Sequence, residues 1–218
     1  VNDPARPRSG RGGTAHDRQR PEETRRRILD ATAAILAGDG FARARLSDIA
    51  ARAGVQAPAI YYYFDSRKHL VEEVVITGMV RHLGHVRDRL ESLPPGTAAL
   101  DRIDLAVEAH LQVILQESDY AAAAIRNTSQ LPVDSRERQL VEERRYAAIW
   151  RDLLDCARAE GAMHPDLDPG ASRMLVLGAL NWACEWWSPH HGDLSGIVRT
   201  AQLLVRNGLS RPPGTKDT

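Results

Sequence analysis

The apolar positions of the chain recur with helical spacing, broken at intervals by glycine and proline. Ile28, Ile35 and Leu36, with Thr32 between them, lie on one face of a predicted helix. Pro21-Glu22-Glu23 suits the first turn of that helix: proline fits the first position, and acids favour the positive end of the helix dipole. Gly38 and Gly40 stop it, and Phe41 follows as an apolar plug. Ser47 is the expected N-cap of a short helix over Asp48 to Ala53, ended by Gly54. Pro58 opens another short helix running to Tyr63. Ser66 caps a long one over 67–92, with Leu70, Val74, Met79 and Leu83 inward, and Pro94-Pro95-Gly96 breaks it. Further helices are predicted near 98–117, 119–128, 134–160, 169–187 and 194–208. Leu131-Pro132, Gly161, Asp168-Pro169 and Ser188-Pro189 punctuate them. Strand-like alternation of useful length is absent, so the expected fold is all-α.

Composition narrows the class. The 218 residues are 43% hydrophobic and 27% charged, as in a globular protein with a real core, whereas aromatics are only 5%. Three of the five tyrosines stand together at 61–63. Net charge is zero but unevenly spread: residues 1–70 hold 13 Lys and Arg against 8 Asp and Glu, so the front half is the basic one. Residues 1–20 contain five arginines and little apolar surface, and read as a disordered basic tail. Residues 211–218 read as a second tail. Cys156 and Cys184 fit two buried thiols in a reducing compartment. No apolar run approaches a membrane span and the N-terminal stretch lacks a secretory pattern, so a cytoplasmic location is expected.

Leu46 to Phe64 reads as helix, glycine turn, helix, at the spacing of a helix-turn-helix. Ile49, Ala50, Ala53, Val55, Ile60 and Phe64 are the apolar positions that seat both helices. Gln56, Ala57, Pro58 and Ala59, at the start of the second helix, then point away from the core. A helix N-terminus offers free N–H groups to phosphates, a glutamine reads a base edge, and an alanine touches a thymine methyl. Successive helical residues lie 100° apart, so with Ile60 and Phe64 inward, Tyr61 and Tyr62 face largely out, where their hydroxyls reach phosphate oxygens.

These residues carry a family resemblance. Arg27-Ile28-Leu29-Asp30-Ala31-Thr32, Gly40-Phe41, Leu46-Ser47-Asp48-Ile49-Ala50, Ala53-Gly54-Val55, Ile60-Tyr61-Tyr62-Tyr63-Phe64 and Ser66-Arg67-Lys68-His69-Leu70 resemble the DNA-binding domain of TetR-family transcriptional regulators. The resemblance implies a homodimeric repressor of about nine helices. A three-helix DNA-binding domain at 21–66 would be followed by an effector-binding and dimerisation domain at 67–210. It implies phosphate contacts from Ser47 and Arg67 and a recognition surface of Gln56, Ala57, Pro58, Tyr61 and Tyr62, with Tyr63 standing where many members have histidine. It also implies that the last two helices pair with their copies in a four-helix bundle, and that an effector changes the spacing of the two heads. An orphan or architectural DNA-binding regulator without a small-molecule ligand is the alternative.

The back half offers an apolar set for the effector: Leu111, Ile114, Ile125, Trp150, Leu153, Trp182 and Trp186. Trp182 and Trp186 share a helix face, and the tryptophans serve either a pocket or a dimer interface. The run from Glu160 to Ser195 is similar to regulators of fatty-acid and steroid breakdown that respond to acyl-CoA thioesters. Such an effector needs basic groups, for which Arg126, Arg144, Arg145 and Arg151 are candidates. His82, His85, His110 and His164 lack metal-ligand spacing, so no metal and no cofactor are expected. No phosphate loop, nucleophile elbow or catalytic carboxylate pair stands out, so the chain does not read as an enzyme.

Overall fold

In the computed structural model, residues 15–128 and 136–210 are described. They form nine α-helices: α1 Ala15–Gly38, α2 Leu46–Ala53, α3 Ala57–Tyr63, α4 Arg67–Glu91, α5 Ala99–Gln112, α6 Asp119–Asn127, α7 Arg136–Ala159, α8 Pro169–Trp186 and α9 Leu194–Leu209. The expected all-α fold is observed. The expected tails over 1–14 and 211–218, and the break at Leu131-Pro132, lie outside the described residues.

Three local expectations need correction. Residues 15–20 were expected in the disordered tail, but α1 begins at Ala15 and carries Pro21 inside it. Proline there removes one backbone N–H yet keeps a helical φ, so the helix continues across it. Ser47 does not cap α2. The cap position is Arg45, in an extended conformation, and Ser47 lies within the first turn with its Oγ 3.2 Å from Asp48 Oδ1. The helix expected over 98–117 is α-helical only to Gln112. Val113–Glu117 widens into a π-turn closed by Ser118 N–H on the Val113 carbonyl at 3.1 Å. Other signals act as expected. Gly54 ends α2 at φ 65°, and Ser66 Oγ accepts the His69 N–H at 3.1 Å to start α4.

Two cores result. The first gathers Ile28, Leu36, Ile49, Ile60 and Phe64 with Leu70 and Val74 of α4 and Tyr120, Ala123 and Ala124 of α6. The second gathers Ile103, Val107, Leu111, Trp150, Leu153 and Leu154 with Leu180, Cys184 and Val198. Burial pushes the Cys184 thiol up to about 11, leaving it inert, whereas Cys156 is only half-buried. On the far side, Arg206 clasps Asp101 and Asp104 and so ties α9 to α5.

α6 is the piece shared by front and back. Its Tyr120 hydroxyl donates to Asp30 Oδ1 of α1 at 2.8 Å, and Asn127 Nδ2 donates to the Leu36 carbonyl at 3.1 Å. Arg126 donates to the Ala37 carbonyl near the end of α1 and to the Cys184 carbonyl of α8. α4 approaches α6 at Gly78 so closely that a Cβ there would stand 2.0 Å from the Tyr120 carbonyl oxygen.

Candidate functional site

The helix-turn-helix is locked from behind. Arg27 of α1 donates to the carbonyls of Ala53 and, at 3.1 Å, Gly54, across the turn between α2 and α3. Ile49, Ala50 and Ala53 of α2 and Ile60 of α3 fill the space between. With that face consumed, α3 presents Gln56 and Pro58 to solvent and leaves Tyr61 57% and Tyr62 81% exposed. Ala57 is half-buried. Tyr63 is half-buried too: it leans on the first core and meets the Tyr62 ring edge-on at 5.1 Å. An exposed aromatic pair beside a fully seated isoleucine is unusual on a surface that serves only solubility.

Ser47 is exposed near the start of α2. Arg67 behaves differently from the expectation of an outward phosphate contact. Its Nε donates to the Ala44 carbonyl at 2.6 Å, another guanidinium nitrogen donates to the Phe41 carbonyl, and the group lies 4.3 Å from the Phe41 ring centroid. It therefore braces the 3-10 turn at Phe41–Arg43 against α4. Sequence reasoning missed Arg45, which stands exposed at the N-terminus of α2; Lys68, in the first turn of α4, is exposed as well. Its signal lies in the arginine spacing of FARAR, which the N-cap expected at Ser47 obscures.

Behind the head lies a cavity of about 550 Å³ between α4, α6, α7 and α8, within the range of small-molecule sites. Met79 and His82 come from α4, Ala124 and Ile125 from α6, Glu142, Glu143, Tyr146 and Ala147 from α7, and Met174, Leu177, Gly178 and Asn181 from α8. The α8 set repeats at i, i+3, i+4 and i+7, one stripe of a helix. Of the seven effector residues expected from the sequence, Ile125 alone lines this cavity. Leu111, Trp150 and Leu153 are buried in the second core, and Ile114 borders a separate hollow near Arg126 and Cys184. Trp182 and Trp186 are 64% and 48% exposed. The reason is angular: Asn181 faces the cavity, and Trp182 follows it by 100° around α8.

A polar cluster closes one end of the cavity. Tyr146 OH lies 2.7 Å from His110 Nδ1 and 3.2 Å from His82 Nε2, and the two imidazoles pack edge-on at 4.5 Å. Burial holds His82 well below its ordinary value, with His110 and His85 adding to the effect, and lowers His110 to about 3. Both rings are therefore neutral at physiological pH, and burial raises the Tyr146 phenol as well. Among the described residues no group of His, Cys, Asp and Glu is placed to hold a metal ion.

On the outer side of α8, Leu175, Ala179, Trp182 and Trp186 form an exposed stripe, and Leu203 and Leu204 of α9 are 49% and 71% exposed. No described helix is long and apolar enough to cross a membrane.

Known proteins share this arrangement. Residues 28–74 match the family described as bacterial regulatory proteins, tetR family, and residues 96–196 match the tetracyclin repressor-like, C-terminal domain. The HTH-type transcriptional repressor KstR2 of Mycolicibacterium smegmatis is 26% identical over 204 residues, spanning 90% of this chain and 95% of that protein. Among solved structures, FadR from Bacillus subtilis in complex with stearoyl-CoA superposes with a TM-score of 0.68 at 19% identity, over 84% of this chain and 98% of the other. AibR in complex with isovaleryl coenzyme A and operator DNA superposes with a TM-score of 0.71 at 17% identity, over 81% and 97% of the two chains.

Proposed function

The chain belongs to the TetR family of transcriptional regulators, and from that membership we propose that it is a homodimeric repressor whose grip on operator DNA is released by a small hydrophobic effector. The observation that carries the reading is the division of α3: Ile60 is buried while Gln56, Pro58, Tyr61 and Tyr62 stand outward. These four, with Ala57 and the half-buried Tyr63, form the surface that enters a major groove. Ser47, Arg45 and Lys68 lie toward phosphates at the flanks. Arg67 contributes by holding the turn that places them.

The exposed stripe of α8 and α9 supplies the dimer interface. Apolar residues this prominent are the surface a second copy covers. The two recognition helices of such a dimer occupy successive major grooves roughly 34–36 Å apart. Residues 21–66 form the reading head and 67–210 the sensing and dimerising body.

The effector enters the cavity between α4, α6, α7 and α8. FadR with stearoyl-CoA and AibR with isovaleryl coenzyme A make an acyl-CoA thioester the first class to examine. Arg144 and Arg151 are exposed and Arg145 pairs with Glu142 at 2.7 Å, so the body of the effector meets none of these arginines inside the cavity. Binding that favours one head spacing by about 1–3 kcal/mol changes operator affinity by roughly 5–150-fold.

The test begins with DNA fragments selected on the purified protein. Fluorescence anisotropy then measures operator affinity with and without acyl-CoA thioesters of graded chain length. Release by at least one of them supports the reading; affinity unchanged across the series and across whole-cell lipid extract removes the sensor function.

A further inference from the structure

We propose that the reading head recognises its operator through thymine methyl groups, that the base pairs facing α3 are accordingly A·T, and that Gln56 and the ring of Tyr62 set this preference. This rests on the reading of α3 as the helix that enters the major groove. The first argument is what α3 lacks. From its cap at Gln56 to Tyr63 it reads QAPAIYYY, without a charged residue. In the major groove guanine is taken by arginine or lysine, and the cytosine amino group by an acid, so α3 offers a G·C pair neither of its usual partners. Charged side chains of the neighbouring elements are engaged or turned elsewhere. Arg67 is bound to the Phe41 and Ala44 carbonyls, Arg43 lies 3.8 Å from Asp39, and Arg52 lines the hollow shared by α1, α6 and α8. Asp65, beyond the end of α3, faces His69 Nδ1 at 3.6 Å. Arg45 and Lys68, outside α3, are left for phosphates.

The second argument is what α3 presents. Gln56 is exposed, and its amide both donates and accepts, which matches adenine N6 and N7. Pro58, Tyr61 and Tyr62 follow as exposed apolar or aromatic surface. The Tyr62 ring is held edge-on against Tyr63 at 5.1 Å, and Tyr63 leans on the first core. A ring braced in this way meets the base pairs as a stiff apolar surface. The group that such a surface takes in the major groove is the 5-methyl of thymine. Adenine for Gln56 and thymine for the ring are the two halves of one base-pair type.

Selection of random duplex DNA on the full-length protein opens the test. The enriched half-site should carry A·T pairs at the positions whose preference Gln56→Ala and Tyr62→Ser relax. Both residues are exposed, so unaltered thermal unfolding checks that the variants fold. Fluorescence anisotropy then compares thymidine with deoxyuridine at those positions, an exchange that removes only the methyl. Each exchange should weaken binding about fourfold, the effect of burying one such group. Where T·A is changed to C·G, 5-methylcytosine should recover part of the loss, because it returns the methyl to the same place in the groove. Tyr62→Phe should keep the sensitivity to deoxyuridine and Tyr62→Ser should lose it, which separates the ring from its hydroxyl. Deoxyuridine binding as tightly as thymidine throughout, G·C pairs at the positions governed by α3, or a deoxyuridine effect that survives Tyr62→Ser overturns the proposal and leaves the repressor reading standing. A selection that enriches no sequence removes the reading role of α3 itself, and this proposal with it.

Discussion

Ile60 and Tyr62 sit two residues apart on α3 and do opposite work. Ile60 is sealed in the first core, and Ile60→Ala should cost about 2–5 kcal/mol of stability, read from urea denaturation. Tyr62 is mostly in solvent, so Tyr62→Ala should change stability by no more than about 0.5 kcal/mol while weakening operator binding in the same preparation. A Tyr62→Ala protein that binds operator like wild type would remove this residue from the interface. The histidines make a residue-scale prediction of their own. The folded values of His82 and His110 lie below the ordinary 6.5, that of His110 at about 3. As pH falls below 6.5 the unfolded chain takes up protons that the folded chain refuses. Stability is therefore complete above that value and declines as pH drops; the His110 share continues to about 3, at up to about 1.4 kcal/mol per pH unit, and His82 adds a loss of the same sign. Urea midpoints on either side of pH 6.5 measure the slope, and His110→Gln should make it shallower.

At the scale of elements, Gly78 governs how α4 and α6 cross. Its missing side chain lets the Tyr120 carbonyl approach, and Gly78→Ala forces the helices apart. The expected result is a loss of about 1–3 kcal/mol, the usual effect of overpacking. α6 also holds α1 through Tyr120, Arg126 and Asn127, so the variant should shift operator affinity even without effector. Unaltered operator affinity in a folded Gly78→Ala protein would separate this crossing from the head. The helices themselves were legible in the sequence to within a few residues, because caps and breakers such as Ser66, Gly54 and Pro169 act locally. The direction of long side chains was not. Arg67 turns inward because the Phe41 turn offers it two carbonyls and a ring, a partner 26 residues away that periodicity does not reveal. The cavity was missed for the same reason: its polar end joins His82, His110 and Tyr146 from three helices.

For the whole molecule, the unpaired apolar surface of α8 and α9 predicts the assembly. Trp182→Glu or Leu204→Glu should convert a dimer to a monomer in analytical ultracentrifugation and abolish tight operator binding, since each head alone grips one half-site. Dimers that persist in both variants would place the interface elsewhere. The placement of the tryptophans has a further consequence. All four, at 150, 182, 186 and 187, lie in the back half, and the reading head has tyrosines but no indole. The molecule thus comes with its own optical reporters, already sorted by task. Selective indole emission is silent about direct contact with DNA. Trp182 and Trp186 should shift to the blue as two copies meet, while the buried Trp150, 6.4 Å from the His110 ring, should report on the environment behind the cavity.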